Sequence, residues 1–182
     1  MVAECYVCQG KGSFLHLDRY ICNKCFTKNI EKRVKHHLGR NLFKPNDTIL
    51  VLGKLEYYFL SQVIKGMPLQ ITFKSKLPSD LTAFKHIILG KTLDQLDEDF
   101  LSGLFDGKLS LPTENKPFFN ILAPLTDEEI DKYAQLKKIS IKIKERKNAG
   151  KLFLNQLDGL KEVKYNLYRN IKELTELNQE KI

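Results

Sequence analysis

Four cysteines lie within the first 25 residues of this 182-residue chain, as Cys5-x2-Cys8, thirteen intervening residues, then Cys22-x2-Cys25, and none occurs later. Two residues between thiolates let a tight turn aim both sulfurs at one point. A thirteen-residue excursion is long enough for a hairpin to return the second pair, so the spacing predicts a tetrahedral four-thiolate zinc site. Such a closed shell is structural, with no open position for chemistry. Two disulfides would need an oxidising compartment, for which the sequence carries no signal, and a redox-active Cys-x2-Cys normally sits between a strand and a helix of a βαβ unit. His16 falls inside the excursion and reads as a hairpin residue, since four thiolates already complete the shell.

With 42% hydrophobic residues the chain can bury a sizeable core, which predicts one main domain plus a small module. No run of 18 or more apolar residues exists, so the expectation is a soluble, cytoplasmic protein with no membrane partner. Lysine and arginine number 30 against 22 acids, a formal charge of +8, which favours polyanionic partners. The excess is local. After Cys25, Phe26, Ile30, Val34 and Leu38 recur every four residues and mark one face of a helix that stops near Gly39. Lys28, Lys32, Arg33, Lys35, His36 and Arg40 then fall on the solvent side, where they can follow a phosphate backbone or simply form a solvated basic face.

Lys44-Pro-Asn-Asp47 is a turn by composition, and the apolar run from Thr48 to Gly53 has the character of a strand buried on both faces of a parallel sheet. Further strands are predicted at Leu69 to Phe73, His86 to Leu89 and Phe118 to Leu122, in alternation with helical patterns. Alternation implies an α/β fold. Leu93, Leu96, Phe100, Leu101 and Leu104 form an apolar stripe, with the carboxylates of that helix expected to face away from it. Residues 107 to 117 read as a loop. Thr126-Asp-Glu-Glu129 is a capping box opening a helix through Lys137, and helical patterns follow at Leu152 to Leu160 and Asn166 to Leu177.

The order of zinc module, basic helix, Phe43-Lys-Pro-Asn-Asp47 turn and apolar strand Ile49 to Gly53 resembles the start of the tRNA 2-thiolation proteins, a branch of the PP-loop ATPase superfamily. Pro124-Leu-Thr-Asp-Glu-Glu-Ile-Asp-Lys-Tyr-Ala and Val163-Lys-Tyr-Asn-Leu-Tyr168 resemble later segments of the family. The resemblance implies a reduced PP-loop-like (HUP-type) parallel sheet flanked by helices. On this reading residues 1–25 are the zinc module, 26–44 a basic connecting helix, 45–139 the α/β domain and 140–182 a helical segment. Catalytic members follow the first strand with Ser-Gly-Gly-x-Asp-Ser, whose backbone amides hold pyrophosphate at a helix N-terminus. Here the same place reads Leu52, Gly53, Lys54, Leu55, Glu56 and Tyr57. Gly53 and an acidic residue, Glu56, persist, but Lys54 replaces the second glycine, Leu52 and Tyr57 replace the small hydroxyls, and no cysteine remains for sulfur transfer.

That combination resembles the family's non-catalytic subunit. The implied function is to bind tRNA and a catalytic PP-loop thiolase, as a heterodimer or by self-association, during wobble-uridine thiolation, with zinc as the one cofactor. A self-contained zinc-ribbon RNA-binding protein is the alternative, and an active ATP-dependent enzyme a third.

Overall fold

A computed structural model describes residues 3–39, 42–64, 68–107, 117–141, 149–156 and 161–179. The chain opens with an antiparallel hairpin, β1 (Phe14–His16) and β2 (Arg19–Ile21), in the register Phe14 to Ile21, Leu15 to Tyr20 and His16 to Arg19. Helix α1 (Asn23–Leu38) follows at once, because Cys22 is its cap: the Cys22 sulfur accepts from the Cys25 amide. Phe26, Ile30, Val34 and Leu38 are all buried, as their spacing predicts, and the helix ends at Gly39 with φ +64°. Lys35, His36 and His37 in its last turn complement the negative end of the helix dipole.

Beyond the Asp47 turn the chain alternates β3 (Thr48–Val51), α2 (Lys54–Val63), β4 (Gln70–Phe73), β5 (His86–Leu89), α3 (Leu93–Phe105), β6 (Phe118–Asn120) and α4 (Asp127–Lys137). The four later strands form one parallel sheet in the order β4-β3-β5-β6. Helices flank it. Ile49, Leu50, Val51, Ile87 and Ile88 are buried, which explains why the central strands are continuous apolar runs rather than alternating ones. Thr126 and Glu129 form the predicted capping box of α4. Two further helices, α5 (Ala149–Gln156) and α6 (Lys161–Gln179), pack against α3. The predicted loop at 108–116 and the predicted helical residues 157–160 lie outside the described residues.

The carboxylates of α3 depart from expectation. Asp94, Asp97 and Glu98 are buried beside the leucine stripe instead of facing solvent. The cause is a second layer: α5 and α6 cover the other side of α3, the Asp127 amide donates to Asp94 Oδ2 at 2.7 Å, and Lys151 Nζ stands 3.8 Å from Glu98 Oε1. Amphipathic spacing identifies one packed face and is silent about a second one.

One apolar core joins the N-terminal hairpin to the sheet, since Cys5 and Ile21 belong to the same cluster as Phe26, Ile30, Ile49, Phe59, Ile121 and Tyr133. A polar junction reinforces it. The buried Glu129 carboxylate accepts from His16 Nε2 at 2.9 Å and from Arg33, whose guanidinium also donates to the Pro124 carbonyl and the Tyr165 hydroxyl. Burial would raise the Glu129 pKa, but the His16 hydrogen bond and the Arg33 charge hold it at about 2. Asp47 is held at about 2 as well, first by the hydrogen bond from Lys85 and then by the Lys44 amide.

Both folded-state pKa values lie below the ordinary 4.5 for Glu and 3.8 for Asp, so the unfolded chain binds more protons in acid. Their stabilisation should therefore be complete above about pH 4.5 and disappear as pH falls towards 2. Denaturant midpoints measured between pH 6 and pH 2.5 should drop in that window, with a shallower drop for Glu129→Gln.

Candidate metal centre and switch-point pocket

The first cysteine pair sits on a tight turn in which the Gln9 amide bonds the Cys5 carbonyl at 2.8 Å and the Cys5 amide bonds the Gly10 carbonyl at 2.7 Å. The second pair opens α1. Hairpin and helix start thus converge, and the sulfurs of Cys5, Cys8, Cys22 and Cys25 all lie within 4.8 Å of one another. This is a zinc-ribbon arrangement of four thiols that could hold a metal ion. Burial pushes the Cys5 thiol up, but amides of Cys22, Cys8 and Val7 donate to its sulfur and bring it down to about 6. The Cys25 thiol, hydrogen-bonded first to Cys22 and then to Cys8, is pushed up to about 12. Four sulfurs this close cannot all shed protons without a cation between them, which is what a divalent metal supplies.

The second feature lies where β3 and β5 adjoin. From β3 the chain turns outward through α2 to β4, and from β5 it turns the other way through α3 to β6. Such a switch point, at the carboxyl ends of the strands, is where open parallel sheets form ligand crevices. An open pocket of about 370 Å³ occupies it, lined among others by Gly53, Lys54, Glu56, Gly90, Gln95 and Ser140. Glu56 is the third residue of α2, and its side chain folds back over the helix N-terminus. A Cβ added at Gly53 or at Gly90 would overlap the Glu56 carboxylate, so the two glycines together cradle that group. Burial raises its pKa, partly offset by its own backbone amide. Of the degenerate-loop residues singled out in the sequence, Gly53, Lys54 and Glu56 line the pocket, whereas Leu52 does not and Tyr57 lies exposed against the Phe73 ring.

The fold is similar to that of a tRNA thiolase. The U34-tRNA thiolase NcsA from Methanococcus maripaludis, solved with its 4Fe-4S cluster, superposes with a TM-score of 0.70 at 14% identity, covering 97% of this chain and 89% of that one. No family model matches the chain, and no curated protein does.

The basic helix is divided by the structure. Lys28, Lys32, Lys35 and His36 are exposed along α1, as expected. Arg33 is not on that face: it points inward to Glu129, Pro124 and Tyr165, so its charge is committed to the junction. One residue after Lys32 the helix has turned about 100°, which carries Arg33 towards the buried stripe. Arg40 lies outside the described residues. Sequence reasoning also missed His16 and Glu129 as partners. The available signal was phase, because His16 shares the inward face of β1 with Phe14, beside Phe26. Among the described residues no helix is long and apolar enough to cross a membrane.

Proposed function

We propose that this chain is a non-catalytic partner subunit in tRNA wobble-uridine 2-thiolation, binding tRNA and a catalytic PP-loop thiolase while holding one structural zinc ion and no ATP. The observation that carries this reading is the Glu56 carboxylate between Gly53 and Gly90. A phosphate held at the N-terminus of α2 would need the space that this carboxylate fills, and the aspartate at the same place in the Ser-Gly-Gly-x-Asp-Ser loop is one methylene shorter. Lys54 adds a side chain where a phosphate cradle needs bare backbone. The similarity in fold to a tRNA thiolase over nearly the whole chain supports the pathway, and the exposed lysines of α1 support an RNA partner.

Zinc is favoured by the size of the thiol cluster. A metal–sulfur bond of about 2.3 Å in a tetrahedron places the sulfurs about 3.8 Å apart, and Cys8 and Cys22 are 3.8 Å apart. In a four-iron cluster each thiolate binds a different iron, which spreads the sulfurs farther. Cys5, Cys8, Cys22 and Cys25 would hold the ion, which contributes folding energy and no reactive position.

Calorimetry with ATP and magnesium tests the nucleotide part. No binding is expected at micromolar concentrations. A micromolar dissociation constant, abolished by Gly53→Asp, would show that the loop is alive and would overturn this reading.

A further inference from the structure

The N-terminal hairpin turns an unusual surface to solvent. Tyr6, Leu15, Leu17 and Tyr20 are 42%, 54%, 42% and 47% exposed. They form one patch: the Tyr6 amide bonds the Tyr20 carbonyl at 2.9 Å, Leu15 stands directly across from Tyr20 in the ladder, and the Arg19 guanidinium lies 5.9 Å from the centre of the Tyr6 ring. Tyr20 is also held from behind, since a Cβ at Gly12 would come within 2.9 Å of its own Cβ.

Its tip is strained. The two-residue turn uses Leu17 at φ +48° and Asp18 at φ +60°. Asparagine and glycine adopt such angles cheaply, but leucine does not, and an outlier kept at a surface position points to a use for that side chain. The charges around the patch are mostly basic. Lys11 and Arg19 are matched by Glu4 and Asp18 in the N-terminal segment, and the excess comes from α1, along which Lys24, Lys28, Lys32 and Lys35 are exposed.

We infer that Tyr6 and Tyr20 form a stacking platform for unpaired RNA bases, with Arg19 and the α1 lysines holding the adjoining phosphates and Leu17 packing against a splayed base or sugar. Aromatic faces beside cations suit single-stranded nucleic acid, because every base offers a π-face and every nucleotide a negative charge. A purely apolar protein partner would leave these cations without counter-charges. The inference rests on the proposed tRNA role only for the identity of the RNA, which would then be the single-stranded anticodon loop.

The test uses the full zinc-loaded chain, fluorescence anisotropy, and three probes: single-stranded oligouridylate, duplex RNA of equal length, and a tRNA transcript. Tyr6→Ala and Tyr20→Ala should each weaken oligouridylate and tRNA binding about tenfold while leaving duplex binding and the salt dependence unchanged. Lys32→Ala with Lys35→Ala should do the reverse, flattening the slope of log affinity against log salt by about 0.7 to 0.9 per lysine. Leu17→Gly should raise the melting temperature and lower the affinity together. Zinc content equal to the parent's guards against misfolding. Should an alanine variant lose zinc, the pair Tyr20→Phe and Tyr20→Leu decides, since only the ring-bearing variant should bind like the parent.

If the parent binds oligouridylate and the tyrosine variants bind equally well, the platform is wrong and the tRNA role stands. If the parent binds no RNA, both fall. If the tyrosine variants keep RNA and lose a protein partner, the face is a protein interface and the inference is overturned.

Discussion

Changing any one of Cys5, Cys8, Cys22 or Cys25 to Ser should remove one equivalent of zinc and unfold the N-terminal hairpin. Structural zinc in a small module contributes on the order of 10 kcal/mol of apparent binding energy, which is also folding energy. The loss should spread beyond the hairpin, because Cys5 and Ile21 lie in the core shared with Phe26, Ile30 and Tyr133, and Cys22 caps α1. Chelation should accordingly lower the melting temperature of the whole chain and not merely bleach a local signal. Elemental analysis of protein purified without chelator should give about one zinc per chain. Less than half an equivalent would argue against the site, and iron in its place would argue against zinc.

Glu129→Ala should cost about 3 to 5 kcal/mol, because it strands the Arg33 guanidinium without its carboxylate and removes half of the α4 capping box. Arg33→Ala should cost a comparable amount by leaving Glu129 buried with only His16 and the Thr126 amide. The double variant should be less damaging than the sum of the two, since the pair acts as one unit. Denaturant unfolding of the four proteins measures this. Adding Lys32→Ala separates structure from recognition: Arg33→Ala should leave the salt dependence of RNA binding as it is in the parent, whereas Lys32→Ala should reduce it.

The parallel sheet was readable because its central strands are apolar on both faces and bounded by turn residues, as at Thr48 to Val51 and His86 to Leu89. Local chemistry also placed α1 and α4: a repeat of four buries Phe26, Ile30, Val34 and Leu38, and Thr126 with Glu129 fixes a helix start. The thiol cluster was legible from spacing alone. What escaped were contacts across long sequence separation. Glu129 looked like a cap residue only, yet it binds His16 and Arg33, which lie 113 and 96 residues away. Likewise the acids of α3 carried no mark of the helices that bury them. Glu56 was visible as a retained acidic residue, but its position between Gly53 and Gly90 depends on how β3 meets β5, which no local pattern encodes.

We propose that this chain works with a catalytic thiolase and is not one itself. Affinity purification of the tagged chain from its native cells, with the co-purifying proteins identified by mass spectrometry, tests it most directly. The expected result is one stoichiometric partner with an intact Ser-Gly-Gly-x-Asp-Ser loop, together with bound tRNA. Recovery of the chain alone, with 2-thiouridine formed by the purified chain in the presence of ATP and a sulfur donor, would contradict it.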